Sequence, residues 1–108
     1  MLALDEYTGK NEAPVVRRLI GNALAQKWLV SVNDGEEWTV RKSKNRDKIL
    51  EALATTGEDV LRFHDSEGNN LGMISLIYQG GDSDGEEVIS DHTDNESMNH
   101  LYRLTFPA

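Results

Sequence analysis

Seven carboxylates fall within fifteen residues: Asp82, Asp84, Glu86, Glu87, Asp91, Asp94 and Glu96. Side chains of that type at that density have three uses. They can solvate a surface, they can ligate a hard cation through oxygen, or they can present a negative surface to a basic partner. In the third case carboxylates at strand or helix spacing imitate a row of phosphates, and a field of several kT speeds encounter. Asp82-Ser83-Asp84-Gly85 tests the second use. With Gly85 at position 6 of an EF-hand loop, position 12 falls on Asp91 rather than Glu, and Val88 lands one place late. The EF-hand register fails, which leaves an irregular calcium site as the cation alternative.

Other chemistry is thinly supported. His92 and His100 stand eight apart, not the four that puts two imidazoles on successive turns of a metal-binding helix. Ser90, His92 and Asp94 compose a triad only on paper, because such close neighbours rarely converge and no G-x-S-x-G elbow precedes them. His92 reads as a polar residue in a strand-to-helix turn, and His64, alternating with Leu61 and Phe63, is expected to face water. Gly80-Gly81 lies in an acidic loop with no lysine following, the reverse of a phosphate cradle. A sequence without cysteine has no thiolate ligand, thiol nucleophile or disulfide. No cofactor motif is present, and the expectation is a protein that is not an enzyme.

The positive charge has its own cluster: Arg41, Lys42, Lys44, Arg46 and Lys48, five cations in eight residues. Residues 1–57 carry a net +1, residues 58–96 a net −10 with Arg62 as their one base, and the whole chain a net −8. Direct nucleic-acid binding is opposed by that net charge and by the short basic run. The cations are better read as offsetting the acidic half, within one chain or between two copies.

The elements that must position these groups follow from periodicity. A length of 108 residues bounds the chain to one domain, with 1–10 loosely held except through Leu2, Leu4 and Tyr7. From Pro14 a helix runs through Val15, Val16, Leu19, Ile20, Ala23 and Leu24, with proline suited to its first turn. Period two replaces it at Trp28-Leu29-Val30-Ser31-Val32, and Asn33-Asp34-Gly35-Glu36 turns the chain into Trp38-Thr39-Val40. Trp28, Val30 and Val32 should share a buried face with Trp38 and Val40. A second helix starts at Ser43 or Asn45, carries Ile49, Leu50 and Leu53, and stops at Gly57. Strands are expected over Val60–His64, Leu71–Tyr78 and Glu87–Ser90, the second apolar on both faces and hence interior. Thr93 and Glu96 have capping-box spacing for a last helix with Met98, Leu101 and Tyr102. The expected fold is α+β: a mainly antiparallel five-stranded sheet with helices packed on one face, in the order α-β-β-α-β-β-β-α. No apolar run approaches the roughly 20 residues of a membrane span, and Met1–Glu6 is unlike a signal peptide, so a cytoplasmic location is expected.

Asp65-x-x-Gly68-Asn69, Leu76-Ile77-Tyr78-Gln79-Gly80 and Glu87-Val88-Ile89-Ser90-Asp91-His92-x-Asp94-Asn95 together resemble small acidic uncharacterised proteins of phages and mobile elements. The resemblance covers about a third of the chain and implies a phage or prophage source. Val88-Ile89-Ser90 followed by Asn95-Glu96-Ser97 is similar to a strand-to-helix passage in anti-CRISPR proteins that imitate DNA, with spacing one residue different and another element order. The function expected is therefore a non-enzymatic module whose acidic residues engage a basic host protein, such as a defence or DNA-binding factor, as a nucleic-acid mimic. The alternatives are a structural or accessory module without mimicry that self-associates, as in a homodimer, its basic 41–48 segment meeting the acidic half of a second copy, and a calcium-stabilised domain.

Overall fold

The computed structural model describes residues 2–81 and 85–107. The chain forms α1 (Ala3–Glu6), α2 (Glu12–Ala25), β1 (Leu29–Asn33), β2 (Trp38–Ser43), α3 (Arg46–Glu51), β3 (Glu58–His64), β4 (Asn70–Ile77), a 3₁₀ turn (Gly85–Val88), β5 (Ile89–His92) and α4 (Glu96–Thr105). The class is α+β, and the five strands form one antiparallel sheet in the order β2-β1-β3-β4-β5. The expected element order holds, with the one-turn α1 added before α2.

Strand alternation fixes the two faces. Val30, Val32, Val40, Leu61, Phe63, Ile74 and Leu76 are buried beneath the helices. Val15, Val16, Leu19, Ile20 and Ala23 of α2 and Met98 and Leu101 of α4 complete the same core. Gly72 of β4 (φ +140°) permits this closeness, since a Cβ there would stand 2.5 Å from Met98 Cγ. Leu4 of α1 is fully buried and ties the N-terminal turn to the core, whereas Tyr7 is 70% exposed and anchors nothing.

Two carboxylates are structural. Glu12, with no exposed surface, accepts from Gly9 N (2.7 Å), Gln79 N (2.7 Å) and Gly80 N (3.0 Å), pinning the loop after β4 to the start of α2. Gly80, at φ +76°, belongs to a backbone nest after all, one that holds the chain's own carboxylate rather than a phosphate. Asp59, also fully buried, accepts from Ala54 N (2.9 Å) and Tyr78 Oη (2.6 Å), while its Oδ1 has no partner. Desolvation pushes its carboxyl up to about 6, against the pull of those hydrogen bonds.

Several local expectations are corrected. Trp38 does not share the buried face of Val30 and Val32; it pairs with Asn33 on the opposite face. The cause is a pair of register shifts in β2, between Val32 and Asn33 and again between Val30 and Val32, which break the alternation on which the expectation rested. Trp28 is half-buried and meets Phe63 edge-on, ring centroids 6.5 Å apart. Helix α3 ends at Glu51, and the left-handed residue beyond it is Ala54 (φ +60°), not Gly57. Asn45 caps α3 by accepting from Lys48 N, one of the two caps expected. Asn95, not Thr93, caps α4 by accepting from Met98 N; Thr93 Oγ1 instead accepts from Met73 N, fastening the chain to β4. The segment expected as a strand over Glu87–Ser90 is a 3₁₀ turn first, and β5 follows it.

Candidate functional site

Strand order converts the charge asymmetry of the sequence into a spatial one. β2, which runs into the basic cluster, and β5, which carries the acidic one, stand at opposite edges of the sheet. Four strand spacings separate them, about 19 Å. That exceeds the Debye length of about 8 Å at physiological ionic strength, so the basic edge does little to neutralise the acidic one within a chain.

The sequence-derived acidic residues distribute around the β5 edge. Asp82, Ser83 and Asp84 of the candidate calcium loop lie outside the described residues. Asp91 pairs with Ser75 and therefore faces the side of the sheet away from the helices; its Oδ1 accepts from His92 N. Glu86 is on the helical side, accepting from Tyr102 Oη at 2.7 Å, which holds the Tyr102 phenol up at about 12. Asp94 accepts from Asn99 Nδ2 at 3.0 Å, at the entrance to α4, and Glu96 lies in the first turn of that helix. Glu86, Glu87, Asp91, Asp94 and Glu96 are all exposed. None of Glu87, Asp91, Asp94 or Glu96 makes an ion pair among the described residues. The structure brings these carboxylates to one edge and spreads them over both of its sides.

His92 ends β5 and lies against Tyr102, ring centroids 5.2 Å apart. Among the described residues no group of three or more His, Cys, Asp or Glu is arranged to hold a metal ion.

Sequence reasoning missed a second locus, on the face away from the helices. There Arg62 of β3 lies between Ser31 of β1 and Met73 of β4, its register partners. Its guanidinium carbon stands 5.5 Å from the Trp38 ring centroid, and Nη2 approaches Met73 Sδ at 3.0 Å. Arg62 Nε is buried without a partner. Ser31, Trp38, Arg41, Lys42, Arg62 and His64 line a hollow of about 320 Å³. A second hollow of about 490 Å³ begins on the other side of Trp38 and Arg62, with Asn33, Val60, Met73, Ser75 and Ile77 among its walls.

His64 lies opposite Leu61 and Phe63 as alternation requires, but it does not face water. It is 5% exposed and its Nε2 lies 3.0 Å from Ser31 Oγ, which also accepts from Lys42 N at 2.8 Å. Desolvation, then the Lys42 and Arg62 cations, hold its pKa below the usual imidazole value. A serine hydroxyl beside an imidazole is the first contact of a nucleophile–base pair. His64 Nδ1, however, has no hydrogen-bond partner to orient the ring. Arg41, Lys42 and Arg62 give the locus fixed positive charge. The signal that could have found it was Arg62 alone among eleven acidic residues, on a strand whose alternate positions are apolar.

The chain matches no protein-family model, no curated protein and no solved structure. No helix among the described residues is long and apolar enough to cross a membrane.

Proposed function

We propose that this protein is a non-enzymatic binding module whose acidic edge engages a basic protein surface. The observation that carries this reading is the exposure of Glu87, Asp91, Asp94 and Glu96, unpaired with any cation among the described residues and remote from the basic edge. Unneutralised carboxylates on a strand edge and a helix start raise the local concentration of cationic partners and speed encounter. A groove that ordinarily holds nucleic acid is the partner such a surface suits, because its lysines and arginines are already spaced for phosphates. With the resemblance to phage and mobile-element proteins, this makes the partner a host DNA-binding or defence factor inhibited by mimicry.

The test replaces Glu87→Gln, Asp91→Asn, Asp94→Asn and Glu96→Gln together. Wild-type protein immobilised in host extract should retain a basic protein that competing duplex DNA displaces, and the quadruple variant should not. Equal retention by both proteins refutes the reading.

The opposed edges also favour a second reading, self-association in which Arg41–Lys48 of one copy meets the acidic edge of the next. Such a contact joins unlike surfaces and so builds rings or open arrays rather than a two-fold dimer. Sedimentation at low and high salt separates the readings: this one requires assemblies that dissociate as salt rises.

A further inference from the structure

The sheet face turned away from the helices carries a cationic hollow that the acidic-edge reading does not use. Arg41, Lys42 and Arg62 line it, and among the described residues none of the three makes an ion pair. Arginine side chains in a folded protein are usually matched to a carboxylate, a carbonyl or water. Arg62 has instead an aromatic ring at 5.5 Å, a thioether sulfur at 3.0 Å and an Nε–H that is buried and unmatched. A guanidinium with neighbours of this kind has no carboxylate competing for its donors and, already placed by them, loses little entropy on binding a ligand. The floor is polar and rigid: Ser31 and His64, each 5% exposed, are joined at 3.0 Å and fixed by Lys42 N.

We propose that this hollow binds the phosphate group of a small organic phosphate monoester, whose apolar portion lies in the adjoining hollow beyond Trp38. Three unneutralised cations suit a dianion better than a single carboxylate, and a planar guanidinium offers paired donors to its oxygens. The volume of about 320 Å³ is at the small end for ligand sites, which fits a phosphate with little else. The neighbouring hollow of about 490 Å³ supplies Val60, Met73 and Ile77 as apolar walls, with Asn33 and Ser75 as polar groups to orient a ring. Trp38 and Arg62 line both hollows, so a ligand that reaches from one to the other must pass over them. The polymer phosphates of a nucleic acid are disfavoured by the acidic residues on the same face, Glu58 and Asp91, which flank the second hollow.

The experiment titrates the isotopically labelled full-length chain with phenyl phosphate, inorganic phosphate and phenol, followed by amide and indole chemical shifts. Phenyl phosphate should saturate, moving Ser31, Arg62, His64 and the Trp38 indole together with Val60 and Met73. Inorganic phosphate should bind several-fold more weakly and move the first group alone, and phenol should do neither. Arg62→Gln should weaken phenyl phosphate by about tenfold or more. Should that variant not fold, Lys42→Gln, at an exposed position, should weaken it several-fold, while Lys48→Gln, outside the hollow, should leave it unchanged. Shifts that never saturate, that scatter over the exposed lysines, or that persist equally in the folded Arg62 or Lys42 variant mean an adventitious ion only, and overturn the proposal. Glu87→Gln, Asp94→Asn and Glu96→Gln together, at acidic-edge positions outside both hollows, should not alter this binding, so its failure and that of the acidic-edge reading are separable.

Discussion

Asp59 holds an unfavourable position, because a carboxylate with one oxygen bonded and the other orphaned is taken out of water beneath the sheet. Its folded pKa of about 6 lies above the unfolded value of 3.8, so the native state binds the proton more tightly. Stability from this group is therefore present at low pH and lost as pH rises from about 4 to about 6, by roughly 3 kcal/mol at most. Asp59→Asn should be more stable than wild type at neutral pH, with the advantage shrinking towards pH 4; urea unfolding at both pH values checks this, and a pH-independent difference contradicts it. His64 runs the other way. Its folded pKa is below that of a free imidazole, so native stability is lost as pH falls below about 6.5 and the unfolded chain takes up the proton first. Imidazole NMR should show His64 less protonated than a free histidine at the same pH. Glu12 is the other buried carboxylate, but three backbone N–H groups satisfy it. Glu12→Ala orphans those donors and should cost about 2–4 kcal/mol, read as a lowered denaturation midpoint. None of the three was marked in the sequence as buried. Glutamate and aspartate are overwhelmingly surface residues, and part of what bonds these two when buried comes from distant segments, residues 79–80 for Glu12 and Tyr78 for Asp59.

At the scale of elements, what could be read from the sequence was what depends on near neighbours. The three- and four-residue spacing of Val15, Val16, Leu19, Ile20 and Ala23 states α2 directly, and all five residues are buried as that spacing requires. The strand β4 is apolar on both sides and is interior, between β3 and β5. The placement of Trp38 could not be read, because the shifts in β2 that turn it over arise from pairing with β1 and not from β2's own composition. The same irregularities, with Lys42 at φ +46° and exposed cations along the strand, blunt this edge against further strand addition. Helix α4 and β4 depend on one glycine for their approach. Gly72→Ala places a Cβ 2.5 Å from Met98 Cγ at a backbone angle that side chains resist, and should destabilise by about 1–3 kcal/mol. A partial recovery in Gly72→Ala/Met98→Ala would locate the cost in that contact, and its absence would place it in the backbone.

Across the whole molecule the governing feature is polarity of charge from edge to edge. The sequence disclosed the imbalance, a net −10 over residues 58–96 beside five clustered cations. It could not disclose the strand order that sends the two clusters to opposite edges, because antiparallel strands pair in many orders compatible with the same hydrophobic pattern. Nor did it disclose the cationic hollow, whose members come from β1, β2 and β3 and are up to 33 residues apart. The acidic edge is the claim on which the proposed function depends, and salt is its most direct probe. Retention of the basic partner should be measured at about 0.1 M and about 1 M salt, between which the Debye length falls from about 10 Å to about 3 Å. Release of the partner at the higher concentration is the predicted result; retention indifferent to salt, or no basic protein bound at either, contradicts the account.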